Sequence, residues 1–217
     1  MFQLYDYFRS SSSYRVRIAL NIKNLDYEII PIHLMNEGGQ QLKAEYKAIN
    51  PQGLVPTLVD TTQGITLTQS LAIIEYLEEQ YPEPALLPGD PLQRAKIRAC
   101  AQLIACEIQP MNNLRVLKYI KAPLQLSDDV KMQWYHHWIT VGFDALEKIL
   151  KQSYSGAYCF GNQPTLADVC LMPQVYNALR FEFSLDDYPT IQRIHEHCTN
   201  QSAFEKALPE NQTQALA

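Results

Sequence analysis

"VPTLVDTTQGITLTQS", residues 55–70, reads as two short strands around a tight turn, followed at once by a helix start. Polar and β-branched or aliphatic residues mix in "VPTLVD" and "GITLTQ", and "TTQG" between them carries turn chemistry, so an antiparallel hairpin is expected. Pro56 enters the first strand without an N–H to donate; a cis bond there turns the backbone groups of Val55 outward, toward an extended ligand. After the hairpin, Leu71, Ile74, Leu77 and Glu78 keep helical spacing up to Pro82.

Working back from the hairpin, "FQLYD" (2–6) is a strand and residues 13–23 place Val16, Ala19, Leu20 and Ile22 at helical spacing. "YEIIPI" is a second strand and "QLKAEYKAIN" a short polar helix stopped by Asn50-Pro51. The order β-α-β-α-β-β-α predicts a sheet of about four strands with helices on its faces. Strands joined through crossover helices are expected to be parallel and the hairpin pair antiparallel, giving a mixed sheet.

Working forward, "PEPALLPGDP" (82–91) holds four prolines and a glycine and reads as a linker. It divides the chain into an α/β domain, 1–81, and a domain at 92–217 in which strand signals vanish. The second domain is expected to be all-α. Helical periodicity runs over 92–121, with a kink or break at Pro110. Residues 127–152 put Trp134, Trp138, Val141, Ala145 and Ile149 on one helical face, and "TIQRIHEHC" is a further helix after Pro189. Thr165 with Asp168, and Ser202 with Glu205, have capping-box spacing.

Composition bounds the function. The 217 residues are 47% apolar and 19% charged with 8 glycines, so an ordinary globular chain with a sizeable core is expected rather than a disordered one. A net charge of −5 with scattered Lys and Arg argues against nucleic acid, where clustered cations supply most of the affinity. "MFQLYDYF" lacks the n-region and apolar core of a signal peptide, and no stretch approaches ~18 apolar residues, so a cytoplasmic protein without membrane contact is expected. Five cysteines, an odd set without a C-x-x-C pair, suggest neither a disulfide framework nor a zinc site; four or five of them read as small buried hydrophobes. The histidine spacings do not put two imidazoles on one helical face, so no metal site is expected.

Chemistry concentrates in "FRSSSSYRVRIAL", residues 8–20, where Ser10 to Ser13 precede the first helix. A helix N-terminus presents unpaired N–H groups and about half a positive charge, which favours an anion; a thiolate is one, and serine hydroxyls can donate to it. The chain has no cysteine there, so the sulfur would come with a ligand. The other reading is an ordinary N-cap at Ser12 or Ser13 with loop serines beside it. Gln69 and Ser70 open a second helix and suit a carboxylate. Two helix N-termini and a Val-Pro edge in one small α/β domain together fit a short anionic peptide carrying a thiol.

These residues carry a resemblance. "YFRSSSSYRVRIAL", "GGQQ", "INPQGLVPTL", "TQSLAIIEYLEEQYP", "LLPGDPLQRA", "IQPMNNLRVLKY", "TLADVCLMPQVYNALRF" and "YPTI", in order, resemble a zeta-class glutathione transferase. The resemblance implies a thioredoxin-like N-terminal domain, an all-helical C-terminal domain, glutathione as cofactor and a homodimer. It also implies glutathione-dependent conversion of maleylacetoacetate to its fumaryl isomer, by addition of the sulfur, bond rotation and elimination. By position, Ser10 and Ser11 match the family's sulfur-binding serines, and Ser12 stands where the family has a cysteine, leaving the serines to stabilise the sulfur. Gln41, Val55, Gln69 and Ser70 match the tripeptide-binding positions, with Gln109, Asn113 and Arg115 from the helical domain. Arg9 and Arg180 match positions credited with binding the substrate's carboxylates, a task suited to guanidinium forks. Neighbouring expectations are a maleylpyruvate isomerase, a general conjugase with a more apolar second pocket, and a non-enzymatic binding protein that has lost glutathione affinity.

Overall fold

A computed structural model describes residues 1–153 and 156–213. They form two compact units, one of residues up to Leu86 together with the segment from Thr199 onward, the other spanning Leu87–Cys198.

The first unit is built on β1 (Phe2–Asp6), α1 (Ser11–Ile22), β2 (Tyr27–Pro31), α2 (Ala44–Ile49), β3 (Thr57–Asp60), β4 (Ile65–Thr68) and α3 (Ser70–Gln80). The sheet order is β2-β1-β3-β4. β1 is central: Leu4 lies opposite Ile29 of the parallel β2 and opposite Leu58 of the antiparallel β3. β3 and β4 make the expected hairpin, with Thr57 opposite Thr68 and Asp60 opposite Ile65. The expectation of parallel strands at every helical crossover holds for β1-α1-β2 and fails for β2-α2-β3. The six-residue α2 and the short turns around it do not form a returning crossover; the chain passes to the far side of β1 and enters the sheet in the opposite sense.

α1 packs on α3. Its burial is wider than the face inferred from spacing: every residue from Ser13 to Leu20 is buried, Arg15 and Arg17 included. The C-terminal segment explains part of this. The amide of Asn21 donates to the Ala203 carbonyl at 3.0 Å and Arg17 Nε to the Ala207 carbonyl at 3.1 Å, so α9 (Ser202–Glu205) is fastened to α1. That segment therefore clusters with the α/β unit and not with the helices of 92–217, a tertiary pairing that composition along the chain does not encode. Ser202 is the first residue of α9, one past the N-cap position, which Gln201 occupies without a side-chain bond, so the expected Ser202 cap is corrected. At the other end of α1, the buried Lys23 donates to Glu78 (2.8 Å) and to the Tyr81 and Pro84 carbonyls, while Glu78 accepts the Leu86 N–H. The first part of the proline-rich stretch is thereby tied to the α/β unit.

The second unit is helical among its described residues: α4 (Pro91–Gln102), α5 (Leu114–Lys121), α6 (Asp128–Ser153), α7 (Leu166–Arg180) and α8 (Pro189–Thr199). Asp90 caps α4 by accepting the Gln93 N–H at 2.8 Å, with Pro91 in the first position, where its missing N–H costs nothing. Ahead of Pro110 the α-helix gives way to a π-helical stretch, Leu103–Ile108, and then a 3₁₀ turn, Gln109–Asn112, the interruption expected of that proline. In α6 the buried residues are Tyr135, Ile139, Phe143, Leu146 and Leu150. The expected face is thus rotated by one position: Val141 and Ile149 are exposed. The apolar run supports both stripes; the tyrosine and phenylalanine that win meet rings from beyond the helix, Tyr135 against Phe181 and Phe143 against Phe183 and Tyr188, whereas Trp134 and Trp138 pair with each other along it. α7 packs against α4 and is buried continuously from Leu166 to Val175.

Candidate active site

Ser10 has extended backbone (φ −73°, ψ 119°), and its hydroxyl oxygen accepts the Ser13 N–H at 3.2 Å. Its carbonyl accepts the Tyr14 N–H and its own N–H donates to the Tyr7 carbonyl, both at 2.8 Å. The N-cap is therefore Ser10, not Ser12 or Ser13. A hydroxyl has one proton and two lone pairs, so a cap that accepts from the backbone still has its O–H to give. Ser11 is buried, Ser10 and Ser12 are half-buried, and the Ser13 hydroxyl is enclosed without a hydrogen-bond partner. The first-turn N–H groups of Ser11 and Ser12 and the positive end of α1 lie beside the Ser10 donor.

The loop before this cap is anchored from inside the helix. Arg17 is fully buried, pairs with the equally buried Asp6 at the end of β1, and donates through Nη2 to the Phe8 carbonyl at 2.9 Å. A side chain two turns into α1 therefore sets the height of the strand-to-helix loop carrying Arg9 and Ser10. Arg9 is exposed, its guanidinium 4.8 Å from the Phe8 ring centroid.

A second wall is made by "GGQQ" and the loop before β3. Gln41 is buried, and its Oε1 has no hydrogen-bond partner. Gly39 has φ +105°, a backbone conformation that favours glycine, and a Cβ there would fall 2.6 Å from Gln41 Nε2, so any side chain would displace the carboxamide folded over it. Gly53 does the same for the main chain: its Cβ would meet the Gln41 carbonyl at 2.9 Å. The Val55-Pro56 bond is cis. Val55 stands outside the ladder, which begins at Thr57, while the preceding Leu54 carbonyl is held by the Tyr46 hydroxyl (2.6 Å) and the Asn50 amide (2.8 Å).

The third element is the start of α3. Gln69 occupies the N-cap position with φ +69°, a conformation uncommon for a side-chain-bearing residue and typical of functional loops, and its amide donates to Gln52 Oε1 at 2.8 Å. The buried Ser70 hydroxyl accepts from Arg15 Nη1 at 3.3 Å. A buried cation thus reaches from α1 to the α3 N-terminus, adding to the charge that favours a carboxylate there. Sequence reasoning missed Arg15, Arg17 and Gln52; the available signal was two arginines inside the apolar run "YRVRIAL", a placement that calls for buried partners.

The remaining expected residues lie in the second unit. Gln109 opens the 3₁₀ turn and is half-buried; Asn113 caps α5, accepting the Arg115 N–H at 3.1 Å; Arg115 is exposed. Arg180 ends α7, exposed, 5.2 Å from the Phe181 ring centroid. Among the described residues neither Arg9 nor Arg180 is in a salt bridge. Asp168 has the structural role expected of it: it accepts from the Thr165 N–H and hydroxyl and from the Cys159 N–H, each at 2.8 Å. Burial raises the pKa of the Asp168 carboxyl and of the Cys159 and Cys198 thiols alike, and a thiol held protonated in this way is inert. Four cysteines are buried and Cys106 is exposed. No group of three metal-ligating side chains occurs among the described residues, and no described helix is long and apolar enough to cross a membrane.

Residues 4–85 match the glutathione S-transferase N-terminal domain family and residues 117–210 the glutathione S-transferase C-terminal domain family. The chain is 51% identical to maleylacetoacetate isomerase of Mus musculus, covering 96% of this chain and 93% of that one. It superposes on the holo structure of maleyl pyruvate isomerase, described as a bacterial zeta-class glutathione S-transferase, with a TM-score of 0.93 and 45% identity over 97% of this chain and 98% of that one. A maleylacetoacetate isomerase from Methylobacterium extorquens AM1 with bound malonate and glutathione gives a TM-score of 0.92 at 36% identity, covering 98% of each chain. With a thioredoxin-like sheet, a cis-proline loop, a serine-capped first helix and this extent of likeness, the chain belongs to the glutathione S-transferase family, in its zeta class.

Proposed function

We propose that this protein is a glutathione-dependent cis–trans isomerase that converts maleylacetoacetate to fumarylacetoacetate. The observation that carries the reading is Ser10: a half-buried N-cap whose oxygen is engaged by the Ser13 N–H, leaving its O–H to be donated to an anion. The fit of a thiol tripeptide is supported independently by the buried Gln41 Oε1, an acceptor without a partner, and by the glycine cradle that holds its carboxamide. The identity to the mouse isomerase and the glutathione-bound relative support the same reading.

Bound glutathione supplies the thiolate whose reversible addition to the conjugated carbon makes the cis double bond a single bond free to rotate. Ser10 donates to that sulfur, and the Ser11 and Ser12 N–H groups with the α1 dipole favour its ionised form. Because the family cysteine is replaced by Ser12, this stabilisation rests on hydroxyls and backbone alone. Gln41, Val55, Gln69 and Ser70 hold the tripeptide, Ser70 and the α3 N-terminus taking a carboxylate with Arg15 behind them. Gln109, Asn113 and Arg115 are its contacts from the helical domain. Arg9 and Arg180 bind the carboxylates of the keto-acid; each is pre-oriented by the aromatic ring it covers. In this reading residues 1–81, with the segment from Thr199 fastened to α1, form the glutathione-binding domain, 82–91 the linker and the helices from 92 to 198 the substrate domain, and the enzyme works as a cytoplasmic homodimer.

Maleylpyruvate is the second substrate to consider, favoured by the TM-score of 0.93 to the maleyl pyruvate isomerase. Both keto-acids present the same cis-enedioic fragment to the arginines. The test is a spectrophotometric assay of each acid with and without glutathione. Glutathione-dependent turnover of maleylacetoacetate exceeding that of maleylpyruvate is expected; equal rates with no thiol would overturn the proposal. Turnover confined to a chlorinated aromatic would instead make the protein a conjugase, and failure to bind glutathione-agarose would make it a binding protein of another kind.

A further inference from the structure

We propose that His33 is a positioning residue for Gln41, and through it for glutathione, a role that rests on the function proposed above. His33 follows β2 and is half-buried, its ring 5.1 Å from that of Tyr7 in an edge contact. Its Nδ1 accepts two backbone N–H groups, Met35 at 3.1 Å and Asn36 at 2.9 Å. An imidazole nitrogen that accepts carries no proton, so the ring holds its proton on Nε2. The geometry is that of an Asx turn, with an imidazole in place of the carboxamide oxygen.

From this point the bonds lead to Gln41. The Asn36 carbonyl accepts the Gly39 N–H at 2.8 Å, fixing the glycine whose bare Cα supports the Gln41 carboxamide. The base of the loop is closed twice: Gln40 N–H donates to the His33 carbonyl at 2.8 Å, and Gln40 Oε1 accepts the His33 N–H at 2.8 Å. The same ring touches Tyr7, whose carbonyl accepts the N–H of Ser10. His33 therefore stands between the two loops that carry the proposed sulfur donor and the proposed tripeptide anchor, touching neither ligand-facing group itself. Leu42 N–H donating to the Gly39 carbonyl at 3.0 Å completes the frame and leaves Gln41 with one backbone placement.

The experiment compares His33→Leu with His33→Asn. Leucine keeps an apolar contact for Tyr7 and removes the acceptor; asparagine restores an acceptor two and three residues ahead of the same N–H groups. Glutathione affinity is measured by calorimetry, KM and kcat by maleylacetoacetate isomerisation, and amide exchange of Met35 and Asn36 by NMR without ligand. In His33→Leu, Kd and KM for glutathione are expected to rise roughly three- to tenfold, the scale of losing exposed backbone hydrogen bonds, with kcat at saturating glutathione within about twofold of wild type. Met35 and Asn36 exchange faster, and His33→Asn returns every value to within about twofold of wild type. The role is overturned by undiminished glutathione binding in His33→Leu, or by His33→Asn being as impaired as His33→Leu. Wild-type protein that binds no glutathione overturns the functional reading and this role with it, an outcome told apart from the others by the unmutated control.

Discussion

Replacing Arg17 by methionine tests how far the active-site loop depends on one buried charge. Methionine fills much of the same space and removes the partner of Asp6 along with the donors to the Phe8 and Ala207 carbonyls. Stranding one member of a buried ion pair costs about 3–5 kcal/mol. Each of the two carbonyls that loses its donor adds about 1–2 kcal/mol, for a total near 5–9 kcal/mol. For a chain of this size that corresponds to a Tm lower by about 10–35 °C. The double variant Asp6→Asn with Arg17→Met has no charge left to strand and is expected to regain about 3–5 kcal/mol, so that adding a second substitution makes the protein more stable than the first alone. Urea unfolding followed by circular dichroism at 222 nm reads both. A double variant no more stable than Arg17→Met would refute the argument, because the penalty would then come from lost packing or carbonyl contacts and not from the carboxylate.

Ser10→Ala removes the N-cap and is expected to cost about 1 kcal/mol of stability. With glutathione binding retained it should also lower isomerase kcat by roughly tenfold or more, as expected for loss of a donor that acts on developing charge; wild-type rates would move the role to Ser11 or Ser12. Gly39→Ala places a methyl group against the Gln41 carboxamide at a backbone angle alanine rarely adopts. It should cost roughly 1–3 kcal/mol and weaken glutathione binding, checked by calorimetry; unchanged affinity would show that Gln41 does not hold the tripeptide. His195 is held below the ordinary imidazole pKa, first by burial, with Glu196 opposing. Its contribution to stability is therefore complete above about pH 6.5 and is lost as pH falls through that value toward the lower folded one. His195→Gln should flatten the fall in urea midpoint between about pH 7 and 5, and a slope equal to wild type would refute the assignment.

The hairpin at 57–68 was legible because its alternation and its turn are local, as was the helix start at Thr165, whose capping chemistry lies within three residues; the cap at Asp90, inside the stretch read as linker, was not. The stripe of α6 was misplaced by one position because Trp134, Trp138 and Val141 are as apolar as Tyr135, Ile139 and Phe143; which stripe is covered depends on the neighbours in space. The sense of β3 was misjudged for a related reason, since a short helix between two strands does not say on which side of β1 the chain re-enters.

The serine run, the Val-Pro pair and the Gln-Ser helix start could be recognised from residue order alone, because a cap, a cis-prone bond and a helix dipole are properties of a few consecutive residues. Which serine caps, and hence which hydroxyl keeps a proton to give, depended on where the Tyr7 carbonyl and the Arg17 guanidinium place the loop. The pairing of Arg17 with Asp6, of Arg15 with Ser70 and of Gln69 with Gln52 joins residues 11 to 55 positions apart. Such pairs exist only after the sheet brings β1, α1 and α3 together, since burial and a shared low-dielectric environment, not spacing along the chain, decide which charges must find each other.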